Sequence, residues 1–268
     1  SVSHRNVMKK IYFLAGLPRS GSTVLAALLQ QHPDMHTTAT SSLLDTLVGA
    51  LKGWSDCMTT QASTQDKEEK EAEIRRILRN MCITKYENID KSIILDKARS
   101  WASDVNMRTM YNVLGHKPKV VATVRNVEDC VASMVRVAKP DDLTEFLRHS
   151  DLVQHIKESY QTLQRGHAFA PECIHFVEYD DLVDNPVETL RKVEQFLELE
   201  PHDYDTSAID GTNLQEKDEE VWQVPGLHDV APVLARQHNE SSEDVLQHMY
   251  RNFVQPRFWR GEQTTNLP

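Results

Sequence analysis

The sequence predicts an α/β fold in three layers, a central parallel sheet flanked by helices, and three observations carry that prediction. Four short runs rich in β-branched or other apolar residues read as buried strands: IYFLA (11–15), SIILD (92–96), KVVATV (119–124) and CIHFVE (173–178). Helical patterns separate them, which makes the sheet parallel and its crossovers right-handed. The first strand runs straight into a loop bracketed by glycines, GLPRSG (16–21), and then into a helix. In such sheets ligands collect beyond the carboxyl ends of the strands, so residues that follow the strands are the candidates for function.

In chain order, STVLAALLQQH (22–32) is an apolar helix opened by serine and threonine and stopped before Pro33. DKEEKEAEIRRILRNM (66–81) is a charged helix with acidic residues towards its start and basic ones towards its end, as the helix dipole favours. Residues 102–114, 127–138, 142–165 and 186–198 also read as helices. From about residue 200 the periodicity fades, and 210–234 reads as a long excursion over the surface. Long loops beside a ligand site often serve as lids or substrate walls. The expected organisation is therefore one domain over residues 8–268, with 200–268 as a C-terminal lid and substrate-wall region. Met8 is a candidate initiator, which would make residues 1–7 a foreign leader.

Composition narrows the partners. With 40 acidic against 30 basic residues and a net charge of −10, the chain lacks the basic face that nucleic acid or an anionic membrane demands. A small anionic ligand feels only the field of its own pocket and stays open. No apolar stretch approaches the roughly 20 residues of a membrane span, and the start SVSHRNVMKK has no apolar signal core. Cys57, Cys82, Cys130 and Cys173 are scattered, without a C-x-x-C pair or a histidine at ligand spacing. Neither a zinc site nor a disulfide framework is expected, and a reducing, cytoplasmic location follows. The sequon at Asn239 to Ser241 means little without a signal segment.

The loop after the first strand matches the nucleoside-triphosphate loop G-x-x-x-x-G-K-[ST] at Gly16, Gly21 and Thr23, with Ser22 where the lysine belongs. The basic residue sits inside the loop as Arg19, whose planar fork suits bidentate oxyanion contacts. Strand, loop and helix start direct several N–H groups and the positive end of a helix dipole at one anion, a P-loop-like arrangement. The plain alternative is a tight strand-to-helix turn shaped by the two glycines. Without its lysine, the loop is expected to hold an anion other than ATP. A second basic position, Arg125, ends the strand 119–124, with Ser133 two turns into the next helix. Alone, Arg125 could simply cap the helix or pair with Glu128; with the first loop, it suggests a ligand carrying two separate anionic groups.

Three stretches in order, GLPRSGSTVLAALLQQHP, VVATVRNVEDCVASMVR and FVEYDDLVDNPVETLRKVEQFLEL, resemble the signatures of sulfotransferases that use 3'-phosphoadenosine 5'-phosphosulfate (PAPS). The nearest resemblance is to the branch of tyrosylprotein sulfotransferases and many bacterial or viral relatives, and it covers roughly residues 10 to 200. It implies that Pro18, Arg19, Ser20, Gly21, Ser22 and Thr23 hold the 5'-phosphosulfate, Arg125 and Ser133 the 3'-phosphate, and that Tyr179 lies by the adenine. It also implies that Lys97, at the end of strand 92–96, acts with Arg19 near the transferring group. The bland reading of Lys97 is a strand-end lysine paired with Asp96. A sulfuryl donor needs no Mg²⁺ bridge between β- and γ-phosphates, so the missing lysine is accommodated and no metal is implied.

In the tyrosylprotein branch the general base is a glutamate shortly beyond the HP that ends the first helix; here Ala39 and Thr40 occupy the matching positions. That departure weighs against protein tyrosine as acceptor and leaves a small-molecule or glycan hydroxyl. Asp45 is chosen as base on proximity, with His36 and His228 as alternatives. Ser41, Ser42 and the neighbouring threonines line an acceptor pocket or cap the helix, capping being the commoner role. Three rivals stand beside this reading. A phosphotransferase would use Asp96 of SIILD as a metal ligand for ATP and Mg²⁺. A cysteine phosphatase is suggested by the C-x-x-x-x-x-R spacing of CVASMVR, against which stand its helical pattern and its lack of glycine. A non-catalytic nucleotide-binding protein would keep the cofactor residues and lack a base.

Overall fold

In the computed structural model, residues 8–61, 67–236 and 253–263 are described. The sequon at 239–241 and the proposed leader at 1–7 lie outside them. Five strands, β1 (Lys10–Gly16), β2 (Met35–Thr40), β3 (Ile93–Lys97), β4 (Val120–Val124) and β5 (Ile174–Glu178), form one all-parallel sheet in the order β2-β3-β1-β4-β5. Between and after them run α1 (Ser22–Leu29), α2 (Leu43–Gln61), α3 (Lys67–Tyr86), α4 (Asp104–Leu114), α5 (Val127–Ala138), α6 (Leu143–His149), α7 (Asp151–Phe169), α8 (Tyr179–Asp184), α9 (Pro186–Leu197) and α10 (Asp218–Trp222).

The side-chain alternation of β1 builds the three layers. Ile11, Phe13 and Ala15 join a core with residues of α2 to α7, whereas Tyr12 and Leu14 join a second core with α1, α8 and α9. The expected α/β sandwich is thus present, with β1 at its centre.

The four expected strands form, and a fifth, β2, had no counterpart among the sequence expectations. Its MHTTAT is rich in threonine and sits at the sheet edge, where only Met35 and Thr37 are buried. It therefore lacks the apolar run that marks the others. The expected helix 142–165 is two helices. Ser150 caps the second by accepting from the Leu152 N–H at 3.2 Å, and its extended backbone ends the first. A serine followed by an acidic residue is a start signal inside the pattern.

The chain leaves β1 for one side of the sheet, returns to β3, and then crosses to β4, so the order reverses beside β1. That switch point opens a crevice at the carboxyl ends of the strands. Asp96 anchors this region from below. Its carboxyl is fully buried and accepts from Ser41 Oγ at 2.6 Å, Trp101 Nε1 at 2.8 Å and the Tyr86 hydroxyl. The ends of β2 and β3, helix α3 and the turn after β3 are tied to one group. No described helix is long and apolar enough to cross a membrane.

Candidate functional site

All five strand ends deliver residues to one cleft of about 490 Å³, within the range of small-ligand sites. The loop after β1 gives Pro18, Arg19, Gly21, Ser22 and Thr23; β3 gives Lys97; β4 gives Arg125; β5 leads to Tyr179; β2 leads to Thr40 and Ser41. Ser133 comes from α5, and the excursion after residue 200 closes one wall with Glu216, Trp222, Leu227 and His228.

Backbone geometry sets the loop. Gly16 has φ 152°, and a Cβ there would stand 2.2 Å from Thr123 Oγ1, so the loop leaves the sheet against β4 as only glycine permits. Gly21, at φ 90°, caps α1 with no side-chain hydrogen bond, and a Cβ on it would press on the Tyr179 ring at 3.0 Å. The first N–H groups of α1 are left to face the cleft. Ser20 turns inward instead: its hydroxyl reaches Leu17 O at 2.6 Å and Thr123 O at 2.9 Å, and its N–H donates to Leu17 O. Ser20 shapes the loop and does not line the cleft with the other loop residues.

Among the described residues, Arg19 and Arg125 line the cleft with no acidic side chain within ion-pair distance. Arg19 takes a left-handed backbone, φ 67°, a conformation that costs a side-chain-bearing residue about 1–2 kcal/mol. Its Nε donates to Ser133 Oγ at 3.2 Å and its other end to the carbonyl of Leu227. Burial, then repulsion from Arg136 and Arg125, lowers its pKa. Arg125 is buried, lies 4.3 Å over the Tyr179 ring, and has no hydrogen-bond partner for its Nε. A buried guanidinium with an unsatisfied donor is chemically suited to binding an anion.

Lys97 is buried too, with Nζ 3.0 Å from Thr23 Oγ1 and 3.8 Å from Glu216 Oε1. Its partner is Glu216 and not Asp96, which faces the other way. Burial pushes its pKa down to about 8, against the opposing pull of Glu216. Glu216 also accepts from the Thr40 N–H at 3.1 Å and hydroxyl at 2.5 Å, fastening the excursion to the end of β2.

The three base candidates separate in space. His36 lies near the start of β2, opposite Ile94, at the far end of the strand from the cleft that Thr40 lines. Asp45 is exposed on the first turn of α2 at the cleft rim. His228 lines the cleft, with Nδ1 2.5 Å from Asp218 Oδ1 and its backbone N–H donating to Asp218 Oδ2 at 2.7 Å. Glu216 Oε2 stands 3.6 Å from the same Nδ1. A carboxylate on Nδ1–H fixes the ring and leaves Nε2 as a proton acceptor.

Glu216 and Asp218, which the sequence did not single out, thus enter the site, and Arg99, likewise not singled out, lines the same cleft. Only the acidic stretch QEKDEE hinted at the first two. Donor atoms of Glu216, Asp218 and His228 lie within 4.8 Å of one another, close enough for a metal. Each carboxylate is already met by proton donors, Glu216 from Thr40 and Asp218 from His228.

A model of the sulfotransferase family matches residues 12–203. No curated protein sequence matches the chain significantly. Among solved structures, the sulfotransferase domain of the Synechococcus PCC 7002 olefin synthase shares the fold at TM-score 0.51 and 17% identity, covering 99% of this chain and 98% of that one. The sulfotransferase domain from the curacin biosynthetic pathway gives 0.47 and 18%, covering 91% and 97%. Mouse sulfotransferase SULT7A1, complexed with PAP, gives 0.46 and 14%, covering 95% and 82%.

Proposed function

Because the chain belongs to the sulfotransferase family, we propose that it moves a sulfuryl group from PAPS to the hydroxyl of a small-molecule or glycan acceptor. The observation that carries this reading is the buried Arg125, whose Nε has no hydrogen-bond partner among the described residues, beside Arg19 at the mouth of a glycine loop. Two guanidiniums that repel each other, next to an uncapped helix start, suit a ligand with two anionic ends.

On this reading Pro18 to Thr23 hold the 5'-phosphosulfate end, chiefly through Arg19 and the N–H groups of α1. Ser20 contributes by fixing the loop. Arg125 and Ser133 hold the 3'-phosphate, and Tyr179 supports the adenine. PAPS, when bound, supplies the sulfuryl group and a leaving phosphate oxygen. His228, oriented by Asp218, takes the acceptor's proton on Nε2, the role that proximity in sequence suggested for Asp45. Lys97 and Arg19 meet the charge that develops on the bridging oxygen as the acceptor oxygen bonds to sulfur. Products are a sulfate ester and 3'-phosphoadenosine 5'-phosphate.

No metal takes part. The aspartate that a phosphotransferase would use, Asp96, is sealed under Ser41, Tyr86 and Trp101. The His228–Asp218 pair favours an enzyme over a passive nucleotide binder. Cys130 of the phosphatase-like spacing is fully buried inside α5, and burial pushes its thiol pKa up to about 12, the reverse of a nucleophile. Four free cysteines suit a cytoplasmic protein, and the described stretch that carries Glu216 to Asp229 acts as lid and substrate wall to a single domain. Incubation with radiolabelled PAPS and a panel of alcohols, phenols and sugars tests the reading: label should move to an acceptor in the presence of EDTA. Label transfer from ATP that requires Mg²⁺, and none from PAPS, would replace it.

A further inference from the structure

The cleft holds a further guanidinium that the transfer chemistry leaves unused. Arg99 lies two residues past Lys97, at the start of the short 3-10 turn Arg99–Ala102, and lines the cleft with Ala98, Val221 and Trp222. Its guanidinium carbon stands 5.8 Å from the centroid of the Trp222 ring. His155 meets the same ring edge-on at 5.5 Å, so the indole is a fixed wall. Among the described residues the Arg99 side chain makes no hydrogen bond and no ion pair within 4.0 Å. Burial lowers its pKa, and Glu216, the nearby acid, pulls the other way. Glu216 does not serve as its partner, being bound to Thr40 and facing Lys97.

A half-buried guanidinium carries five donors, and an aromatic face satisfies none of them. On the proposed reading the donor's anionic groups are already met by Arg19, Arg125, Lys97 and the α1 N–H groups. Arg99 therefore awaits an anion belonging to the other substrate. With Glu216 close by, the local field suits one negative charge better than two, and a planar fork matches a planar, singly charged group.

We infer that Arg99 is the recognition group for a carboxylate on the acceptor: the substrate class is a hydroxy acid. Its hydroxyl faces His228, its carboxylate meets Arg99, and its carbon frame lies along Trp222 and Val221. This rests on the sulfotransferase reading of the same cleft.

The test titrates the whole protein with 3-(hydroxymethyl)benzoate and with its methyl ester, which keeps ring and hydroxyl but lacks the charge. Both are run with and without 3'-phosphoadenosine 5'-phosphate. The acid should bind roughly tenfold tighter than the ester, the scale of a charge-assisted hydrogen-bond pair. Arg99→Gln should bring the acid to the ester's level while leaving the ester's own affinity in place, which shows the pocket intact; Arg99→Lys should keep part of the preference. Equal binding of acid and ester, no binding of either, or a preference that survives Arg99→Gln overturns the inference. If the bisphosphate fails to bind while acid selection still depends on Arg99, the donor reading falls and the carboxylate subsite stands.

Discussion

Replacing Arg125 by alanine separates a site built for two anions from a site built for one. In the free protein Arg125 is buried against Tyr179, with its Nε unsatisfied. Its contribution to the fold is small, because the cation–π contact, about 0.5–2 kcal/mol, is set against an orphaned donor costing about 1–3 kcal/mol. The variant should therefore unfold within about 1 kcal/mol of the parent. Binding of 3'-phosphoadenosine 5'-phosphate behaves differently. Charge-assisted hydrogen bonds to a phosphate contribute about 2–3 kcal/mol, so the loss should be roughly 30- to 150-fold in Kd. Adenosine 5'-phosphate, which offers Arg125 nothing, should weaken by less than about threefold. Calorimetric titration of both nucleotides into both proteins reads the two numbers directly. Equal losses for the two nucleotides, or an unchanged affinity for the bisphosphate, would refute the assignment of Arg125 to the 3'-phosphate.

Three other outcomes are expected. His228→Ala should lower turnover of any accepted hydroxyl compound by about 10²- to 10⁴-fold with the bisphosphate Kd unchanged, and Asp218→Asn should lower it less; a turnover loss confined to Asp45→Asn would instead restore the base suggested by sequence proximity. Lys97, with its pKa pushed down to about 8, is charged below that pH and neutral above it, so kcat/KM should fall as pH rises through about 8; Lys97→Arg should abolish that limb, and a flat profile in the parent would show that its charge is not used. Asp96→Ala strands three buried donors and should destabilise by on the order of 3–5 kcal/mol in denaturant unfolding, whereas a shift below about 1 kcal/mol would show that the network under the cleft does little for the fold.

Much of this molecule is legible in its sequence where local chemistry decides structure. IYFLA followed by GLPRSG specifies strand, loop and helix within a dozen residues, and Gly16 and Gly21 take the backbone angles that such a turn requires. Arg125 at the end of β4 and Lys97 at the end of β3 were picked out by strand position together with the family resemblance, and the parallel sheet puts both strand ends at one edge. Strand β2 hides because MHTTAT, half-exposed at the sheet edge, needs little apolar character to pair with β3. The proposed base, one of two alternatives to Asp45 in the sequence, was harder still to choose. His228 lies more than two hundred residues from the loop, in a stretch with no periodicity, and only the fold sets it beside Asp218. Proximity in sequence favoured Asp45, which does reach the cleft, but at an exposed rim. Arg99, two residues from Lys97, reads as one more charged residue in the sequence, and only the fold sets it in the cleft beside Trp222.

The central claim, that this cleft is made for a 3'-phosphorylated sulfuryl donor and not for ATP, is tested most directly by calorimetric titration of the purified protein. One arm uses 3'-phosphoadenosine 5'-phosphate in EDTA and the other ATP with Mg²⁺. Saturable binding of the bisphosphate at least tenfold tighter than that of ATP, roughly 1.4 kcal/mol, is the predicted result. Tighter binding of ATP with Mg²⁺ would contradict it and return Thr23 and its loop to the service of a phosphotransferase.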